Sequence, residues 1–422
     1  ICGRDVEATE GGGSMNLVLN VIMAIFWLLL LYYSYLTIAG ILDRYGRKQP
    51  VTLTEYPSIA ILIPAHNEGI VMRQTLEAMM GIEYPGKLDV FLLDDQSQDE
   101  TQEIALEFTT MFSRVHYIHV PKGEPIGKSR VLNYGLSITD SEYFLIFDAD
   151  NQPKADTVTR LVEQAMTQKN ACGAVGIVKT INATTNLLTR MIAIEFQVFQ
   201  LIMQSGRWKA FKTGSLAGTN MLLKRDVIEE LGGYDPYALA EDAELTMRIT
   251  ALGYTLPVVY EAETWEQEPE TMKVYMKQRT RWMLGNIYLL EKSLRTRDFW
   301  KGSTLVHSLQ HIMTYLLFIF LLLISDIVLI LGLFGYAFDE ATTPLIMFWF
   351  MTYLVYTIQI LAAQELEGTA TPKNVLVGLI MYFTYAQLFV ILLFRGMYAY
   401  LKSKVRKEVI VWDKTKRVKI ES

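Results

Sequence analysis

Two patterns divide the chain. Residues 17–42 and 305–401 are almost unbrokenly apolar, whereas 43–304 alternate short apolar runs with charged, periodic stretches. An apolar run of about 20 residues can cross a bilayer as a helix, so 17–42 predicts a membrane-spanning helix. It is too long for a signal-peptide core and has no small-residue cleavage site. Tyr32, Tyr33 and Tyr35 sit towards its end, where interfacial aromatics belong, and Asp43, Arg44, Arg47 and Lys48 follow. The basic residues place that end in the cytoplasm. Three more apolar segments are expected at 305–337, 343–363 and 376–401, with turns around Gly335–Pro344 and at 364–374. The tail 402–422 carries Lys402, Lys404, Arg406 and Lys407 and is expected to be cytoplasmic. Three full crossings starting inside would leave that tail outside. Either one segment is re-entrant, or 376–401 is bent or paired, or the basic residues mislead.

Between the apolar blocks the pattern predicts strands at 59–63, 89–93, 115–120 and 143–147, separated by helices at 69–80, 100–110 and 128–137. Strands and helices in this rhythm form βαβ units around a parallel sheet. Such sheets bind ligands beyond the carboxyl ends of their strands. Polar residues stand at those ends: His66-Asn67-Glu68, Asp94-Asp95-Gln96-Ser97-Gln98-Asp99 and Asp148-Ala149-Asp150.

Composition sharpens this picture. The 422 residues are 51% hydrophobic and 20% charged, with a mean hydropathy of +0.21. This average conceals a soluble module bracketed by membrane segments, and it excludes disorder and a disulfide-built domain. A balance of 39 Lys+Arg against 45 Asp+Glu, net −6, speaks against a nucleic-acid partner. Cys2 and Cys172 fit no metal motif; Cys172, in the apolar run 171–178, is expected to be a buried thiol. Gly11-Gly12-Gly13-Ser14 before Met15 reads as linker, so 1–14 are expected to be an appended segment.

One acidic cluster at a strand end is ordinarily a helix cap or a turn. Three in succession, one of them Asp-x-Asp, point to function. Two carboxylates one residue apart can share a hard cation, Mg²⁺ or Mn²⁺, that bridges to substrate phosphates. No Walker-type phosphate loop is present, because Gly123 and Gly127-Lys128 are too closely spaced.

The order of motifs resembles family 2 glycosyltransferases of the α/β GT-A fold, and among them the membrane-integrated processive synthases of cellulose, hyaluronan, chitin oligosaccharide and poly-N-acetylglucosamine. The residues concerned are Ile63-Pro64-Ala65-His66-Asn67-Glu68, Asp94–Asp99, Gly127–Asn133, Asp148-Ala149-Asp150, Ala240-Glu241-Asp242 and Gln278-Arg279-Thr280-Arg281-Trp282. The resemblance spans about residues 15–417. It implies a cytoplasmic GT-A domain at 50–300, inserted between a helix at 15–43 and transmembrane segments at 303–401, with interfacial helices around Gln-x-x-Arg-Trp. It implies that Pro64, Asn67 and Glu68 begin a nucleotide pocket and that Asp94 and Asp95 contact uracil and ribose. Lys128 would lie by the nucleotide. Asp148 and Asp150 would hold metal and diphosphate, Asp242 would be the general base with Glu241 beside it, and Gln278, Arg281 and Trp282 would meet the diphosphate and floor the acceptor site.

The residue types suit that chemistry. An inverting transferase needs a carboxylate to take the acceptor's proton, a cation and an arginine fork suit a leaving diphosphate, and an indole offers a flat face to a sugar ring. As plain structure, Glu241 and Asp242 would be acids in a first helical turn and Trp282 would be core.

The implied activity is a processive inverting β-glycosyltransferase of the cell membrane, extending a polysaccharide from a UDP-sugar and passing it through its own helices. UDP-glucose and a β-glucan, cellulose-like or mixed-linkage, come first. The alternatives are a UDP-N-acetylglucosamine-using poly-N-acetylglucosamine or chitin-like synthase, a hyaluronan-like synthase, a monosaccharide transferase to a lipid phosphate, and a non-catalytic assembly subunit. An accessory secretion subunit or a homo-oligomer is compatible with any of them.

Some residues depart from the pattern or resemble it weakly. Ala240 replaces the family's usual threonine, and His66 stands in the first motif. Gly218-Thr219-Asn220 stands where an acceptor-facing loop is expected. Residues 185–190 resemble a stretch of streptococcal hyaluronan synthases, and Trp412–Arg417 their tail motif. Residues 367–374 faintly resemble a cellulose-synthase gating loop but read better as a polar turn. Asp326 and Arg395 are charges in or near membrane segments, where a charge marks function or snorkels.

Overall fold

The computed structural model describes residues 10–46, 51–335 and 342–406. Eight strands form one sheet: β1 (Ile59–Ala65), β2 (Leu88–Asp94), β3 (Val115–His119), β4 (Tyr143–Ile146), β5 (Gln152–Pro153), β6 (Gly173–Thr180), β7 (Met221–Lys224) and β8 (Val258–Glu266). Their order is β3-β2-β1-β4-β7-β6-β8-β5. β3, β2, β1 and β4 are mutually parallel, as the βαβ rhythm predicts. The other half is mixed: β7 runs antiparallel to β4 and β6, β8 pairs parallel with β6, and β5 antiparallel with β8.

Alternation along β1 builds two cores, because successive side chains point to opposite faces of a sheet. Ile59, Ile61 and Ile63 pack under α2 (Gly69–Met80), α3 (Thr101–Met111) and α5 (Thr157–Thr167). Ala60 and Leu62 pack under α4 (Lys128–Ile138), α8 (Arg225–Glu230) and α9 (Glu241–Ala251). Cys172 is a buried free thiol in this second core.

α1 (Glu10–Tyr45) reaches the domain by its C-terminal end, where Arg44 approaches Glu261 at 3.7 Å. It packs on a helical stretch formed by α6 (Leu187–Gln197), the π-helical turns Val198–Gln204 and α7 (Ser205–Phe211). Two glycines permit the contact. A Cβ on Gly40 would lie 2.5 Å from the Ile202 carbonyl oxygen, and one on Gly206 2.2 Å from that of Leu36. Gly206→Ala therefore forces the helices apart, at a cost of about 1–3 kcal/mol. The expected result is a lower melting temperature in detergent; an unchanged melt would deny the close approach.

α10 (Met272–Arg295) carries the Gln-x-x-Arg-Trp residues. α11 (Thr304–Ile312), the π-helical Met313–Phe318 and α12 (Ile319–Leu333) run on as one rod away from the domain, and α13 (Thr342–Glu367) follows. By length and composition three helical stretches can cross a membrane: Met23–Tyr45, Thr304–Gly332 and Ile346–Glu367. The third apolar segment is broken into α14 (Pro372–Met381) and α15 (Gln387–Arg406). α15 runs in the same direction as α10. Tyr385 meets Tyr275, Gly396 meets Met283 and Ile287, and Lys404 reaches Glu291 at 2.5 Å. The described end of the chain therefore packs along α10. The turn between α13 and α14 is also tied to the domain, by Lys179–Glu367 at 2.8 Å and Arg190–Asn374 at 2.5 Å. The Trp412–Arg417 motif lies outside the described residues.

Candidate active site

The loops after β1 and β2 are laced together. Asn67, at φ 54°, takes the left-handed conformation that asparagine tolerates. Its N–H donates to Ser97 Oγ at 2.8 Å, and its Oδ1 accepts from the Gln98 N–H at 2.7 Å. Asp99 accepts from the N–H groups of Gly69 and Thr101, at 2.9 and 3.1 Å, and so joins the starts of α2 and α3. Buried Asp94 accepts from the Ser97 N–H at 2.9 Å and the Tyr117 hydroxyl at 2.7 Å. Asn67 and Asp94 thus shape the loops. Asp95, paired with Arg130, and His66, whose Nδ1–H donates to the Asp95 carbonyl at 2.6 Å, face the cavity beside them.

That cavity holds about 440 Å³, within the range of small-ligand sites. Pro64, Glu68, Asp95, Lys128, Asp148, Glu241, Asp242, Gln278, Arg281 and Trp282 all line it, although they come from positions far apart in sequence. Asn67, Asp94 and Asp150 do not. The Asp150 carboxylate is buried and accepts from the Gln267 N–H at 3.1 Å, just past β8.

Lys128, at the start of α4, organises the acidic floor. Its ammonium donates to Asp148 Oδ1 at 2.5 Å and to the Gly218 carbonyl at 2.6 Å, and lies 3.8 Å from Glu241. Burial works to depress this lysine's pKa, but Asp148, Glu241 and Asp242 outweigh it and hold the pKa above the ordinary value. Asp242 stands in the first turn of α9, where its Oδ1 accepts from the Ala243 N–H at 2.8 Å. Burial first, and the Glu241 charge second, push its carboxyl up to about 7. Gly218 (φ +83°) passes opposite, and a Cβ there would lie 3.7 Å from Asp242 Oδ2.

Trp282 is held from beneath. The Arg279 guanidinium lies 4.2 Å from its ring centroid, and Phe196 stacks on it at 6.5 Å. Arg279 is fixed by a two-pronged pair with Glu195, at 3.1 and 2.7 Å. Gly285 lets α10 close on Ala240, since a Cβ there would lie 2.7 Å from the Ala240 Cβ. This contact is a local reason for a small residue at position 240.

Among the hard oxygen donors on the wall are Asp148 and Glu266, with Asp150 one layer in. Among the described residues no three His, Cys, Asp or Glu side chains converge as a metal cage. This donor set fits Mg²⁺ or Mn²⁺, which commonly take one or two carboxylates and complete their shell with water and substrate phosphates. Arg207, His307, Gln310, His311, Thr314 and Tyr315 line the far end of the cavity and belong to no motif. The signal available for Arg207 was a lone cation in an otherwise uncharged run, 198–208.

Comparison with known proteins assigns the class. The pattern of the family described as "Glycosyltransferase like family 2" matches residues 57–285. The chain belongs to this family, and membership implies a nucleotide-sugar glycosyltransferase. Among curated relatives, a "Probable glycosyltransferase YdaM" of Bacillus subtilis is 35% identical, over 95% of this chain and 98% of that one. A beta-monoglucosyldiacylglycerol synthase of Trichormus variabilis is 27% identical, over 58% of this chain and 54% of that one. A poly-beta-1,6-N-acetyl-D-glucosamine synthase of Staphylococcus aureus is 25% identical, over 66% and 65%. A mannosyltransferase, PcManGT from Pyrobaculum calidifontis, solved with GDP-Man and Mn²⁺, shares the fold: TM-score 0.57, 18% identity, covering 86% of this chain and 99% of that one.

Proposed function

We propose that the chain is an inverting transferase that moves a gluco-configured hexose from its UDP-sugar onto the hydroxyl of a growing polysaccharide. Asp242 takes the acceptor proton. Asp148, with Glu266 on the same wall, would hold a divalent ion, which would supply charge neutralisation for the leaving diphosphate. Arg281 and Gln278 face the same leaving group, and Trp282 floors the acceptor site. Glucose is the first sugar to test and N-acetylglucosamine the second. The names of the two more distant relatives contain one each, both with β configuration. A β product from an α-linked nucleotide sugar requires one inversion, hence one general base. α1, the α11–α12 rod and α13 span the cell membrane, with the catalytic domain cytoplasmic.

The observation that carries the acceptor assignment is the lining beyond Trp282. There Arg207, Gln310, His311, Thr314 and Tyr315 add polar and aromatic faces to a wall that also carries Met283, Phe389 and Leu392. A sugar chain needs hydrogen-bonding and aromatic faces, whereas an acyl chain needs neither. The test is product size from UDP-glucose and from UDP-N-acetylglucosamine with the full chain in vesicles. Long, glycosidase-sensitive chains are expected. Only single sugars on lipid would overturn the polysaccharide acceptor.

A further inference from the structure

The cavity ends on a buried cation with no counter-ion. Arg207 is 5% exposed. Its guanidinium donates to Gln310 Oε1 at 3.0 Å and more weakly, at 3.4 Å, to Gln204 Oε1, Ser215 Oγ and the Met203 carbonyl. Every partner is neutral, and none of the ion pairs among the described residues involves Arg207. A buried charge is stable only when paired, and burying one alone is costly. Beside it stand two histidines on α11. His307 is 6% exposed, with Nε2 buried and unpartnered. His311 is near the Asn286 carbonyl at 3.3 Å. All three side chains, with Gln310 as a fourth, line the same end of the cavity. They amount to an anion receptor: a fixed fork, an imidazole with a free nitrogen and an amide.

Its depth indicates the source of the anion. Gly206 abuts Leu36 of α1, about 14 Å along that helix from Tyr45 at 1.5 Å per residue. His311 lies about 10 Å along its own rod from Thr304. The polar layer of a bilayer is only about 5–7 Å thick on each side. With the helices spanning as read above and Tyr45 and Thr304 at the outer surface of the headgroup layer, both distances exceed that layer's thickness, so Arg207 lies just below it, at the level of the first acyl carbons. A lipid phosphate of the adjacent leaflet lies just above that level. A charge buried at membrane depth marks function by default.

We propose that Arg207, His307, His311 and Gln310 bind the phosphate of a lipid, and that this lipid anchors or primes the acceptor at the end of the cavity opposite the sugar donor. The site rests on the reading of this cavity as an acceptor tunnel. It adds a substrate class, a phosphate-bearing lipid, that the polysaccharide assignment leaves open. Arg207 supplies the planar, two-pronged geometry that suits phosphate oxygens. In the tautomer with hydrogen on Nε2, His307 donates one more bond.

The test is binding of radiolabelled phosphatidic acid to the full chain in neutral detergent, with UDP release measured on the same preparation. Saturable binding is expected. Unlabelled phosphatidic acid displaces it; diacylglycerol, the same lipid without phosphate, does not. Arg207→Gln weakens binding by on the order of tenfold or more, as loss of a buried charged partner does, while Arg207→Lys keeps most of it. Equal competition by diacylglycerol, a test that needs no variant, would overturn the site. So would displacement by inorganic phosphate at matching concentration, which would mark a soluble-oxyanion site. Undiminished binding by a folded Arg207→Gln chain would do the same. Arg207-dependent lipid binding without UDP release from either sugar would remove the transferase reading and leave the lipid site. UDP release with no specific lipid binding would do the reverse.

Discussion

Asp242→Asn is expected to lower sugar transfer by about 10²–10⁴-fold, the usual worth of a positioned general base, while the chain still binds UDP. The amide keeps the volume and the hydrogen bond from the Ala243 N–H but accepts no proton at neutral pH. Wild-type transfer also acquires an acid limb. The carboxylate is the working form, and burial with the Glu241 charge pushes its pKa up to about 7. Transfer therefore rises with pH through about 7 and levels off above it. Stability runs the other way. Unfolded aspartate loses its proton near 3.9, whereas the folded group keeps it to about 7. Its contribution to stability is full below about 3.9 and is lost as pH rises through the folded value. Asp242→Asn flattens both slopes. Transfer at the wild-type rate in this variant, or an unchanged acid limb, would remove Asp242 as the base.

Arg279→Met carries the largest expected loss of stability. Arg279 is 5% exposed, pairs by two hydrogen bonds with Glu195 and supports the Trp282 ring at 4.2 Å. Removing it strands the Glu195 carboxylate, which retains the Tyr385 hydroxyl at 2.5 Å. Breaking a buried pair from one side costs about 3–5 kcal/mol, and the partial exposure of Glu195 places this case near the lower end. The melting temperature drops by several degrees, and acceptor affinity falls because Trp282 loses its support. Adding Glu195→Gln removes the stranded charge and recovers part of the stability, a non-additivity that a double-mutant cycle measures. A single variant that melts like wild type would show that the pair is not an anchor.

These two residues also show what could be read in the sequence. β1 to β4 and α2 to α4 were legible to within a residue or two because each apolar run ends on a proline (Pro64, Pro121) or on an acid, and each helix begins where the period changes. The antiparallel half was not. β7 is four residues long, and β6 is buried on nearly every residue, so neither shows alternation. The break before α15 was foreseen only as one of three ways out of the parity conflict of three full crossings, since 382–386 continue the apolar composition without a proline or glycine that would locate it. At the site, the acids at strand ends lead to one shared cavity, which Glu68, Asp95 and Asp148 line. Their individual orientations were not readable, because an aspartate in a turn has the same composition whether it faces ligand or braces a loop. Asn67, Asp94 and Asp150 brace. Arg279 looked like a spacer inside Gln-x-x-Arg-Trp, and Glu195 lay in no motif. Their pairing depends on α6 and α10 meeting in space, which one sequence does not reveal.

The most direct measurement follows the fate of the anomeric carbon. The full chain in vesicles is given UDP-glucose, or UDP-N-acetylglucosamine, with Mg²⁺ or Mn²⁺. Released UDP and the proton NMR coupling of the new glycosidic bond are recorded together. The account predicts one UDP released per sugar transferred and a β-linked product, with both signals lost in Asp242→Asn. No UDP release from either sugar, or an α-linked product, would contradict it.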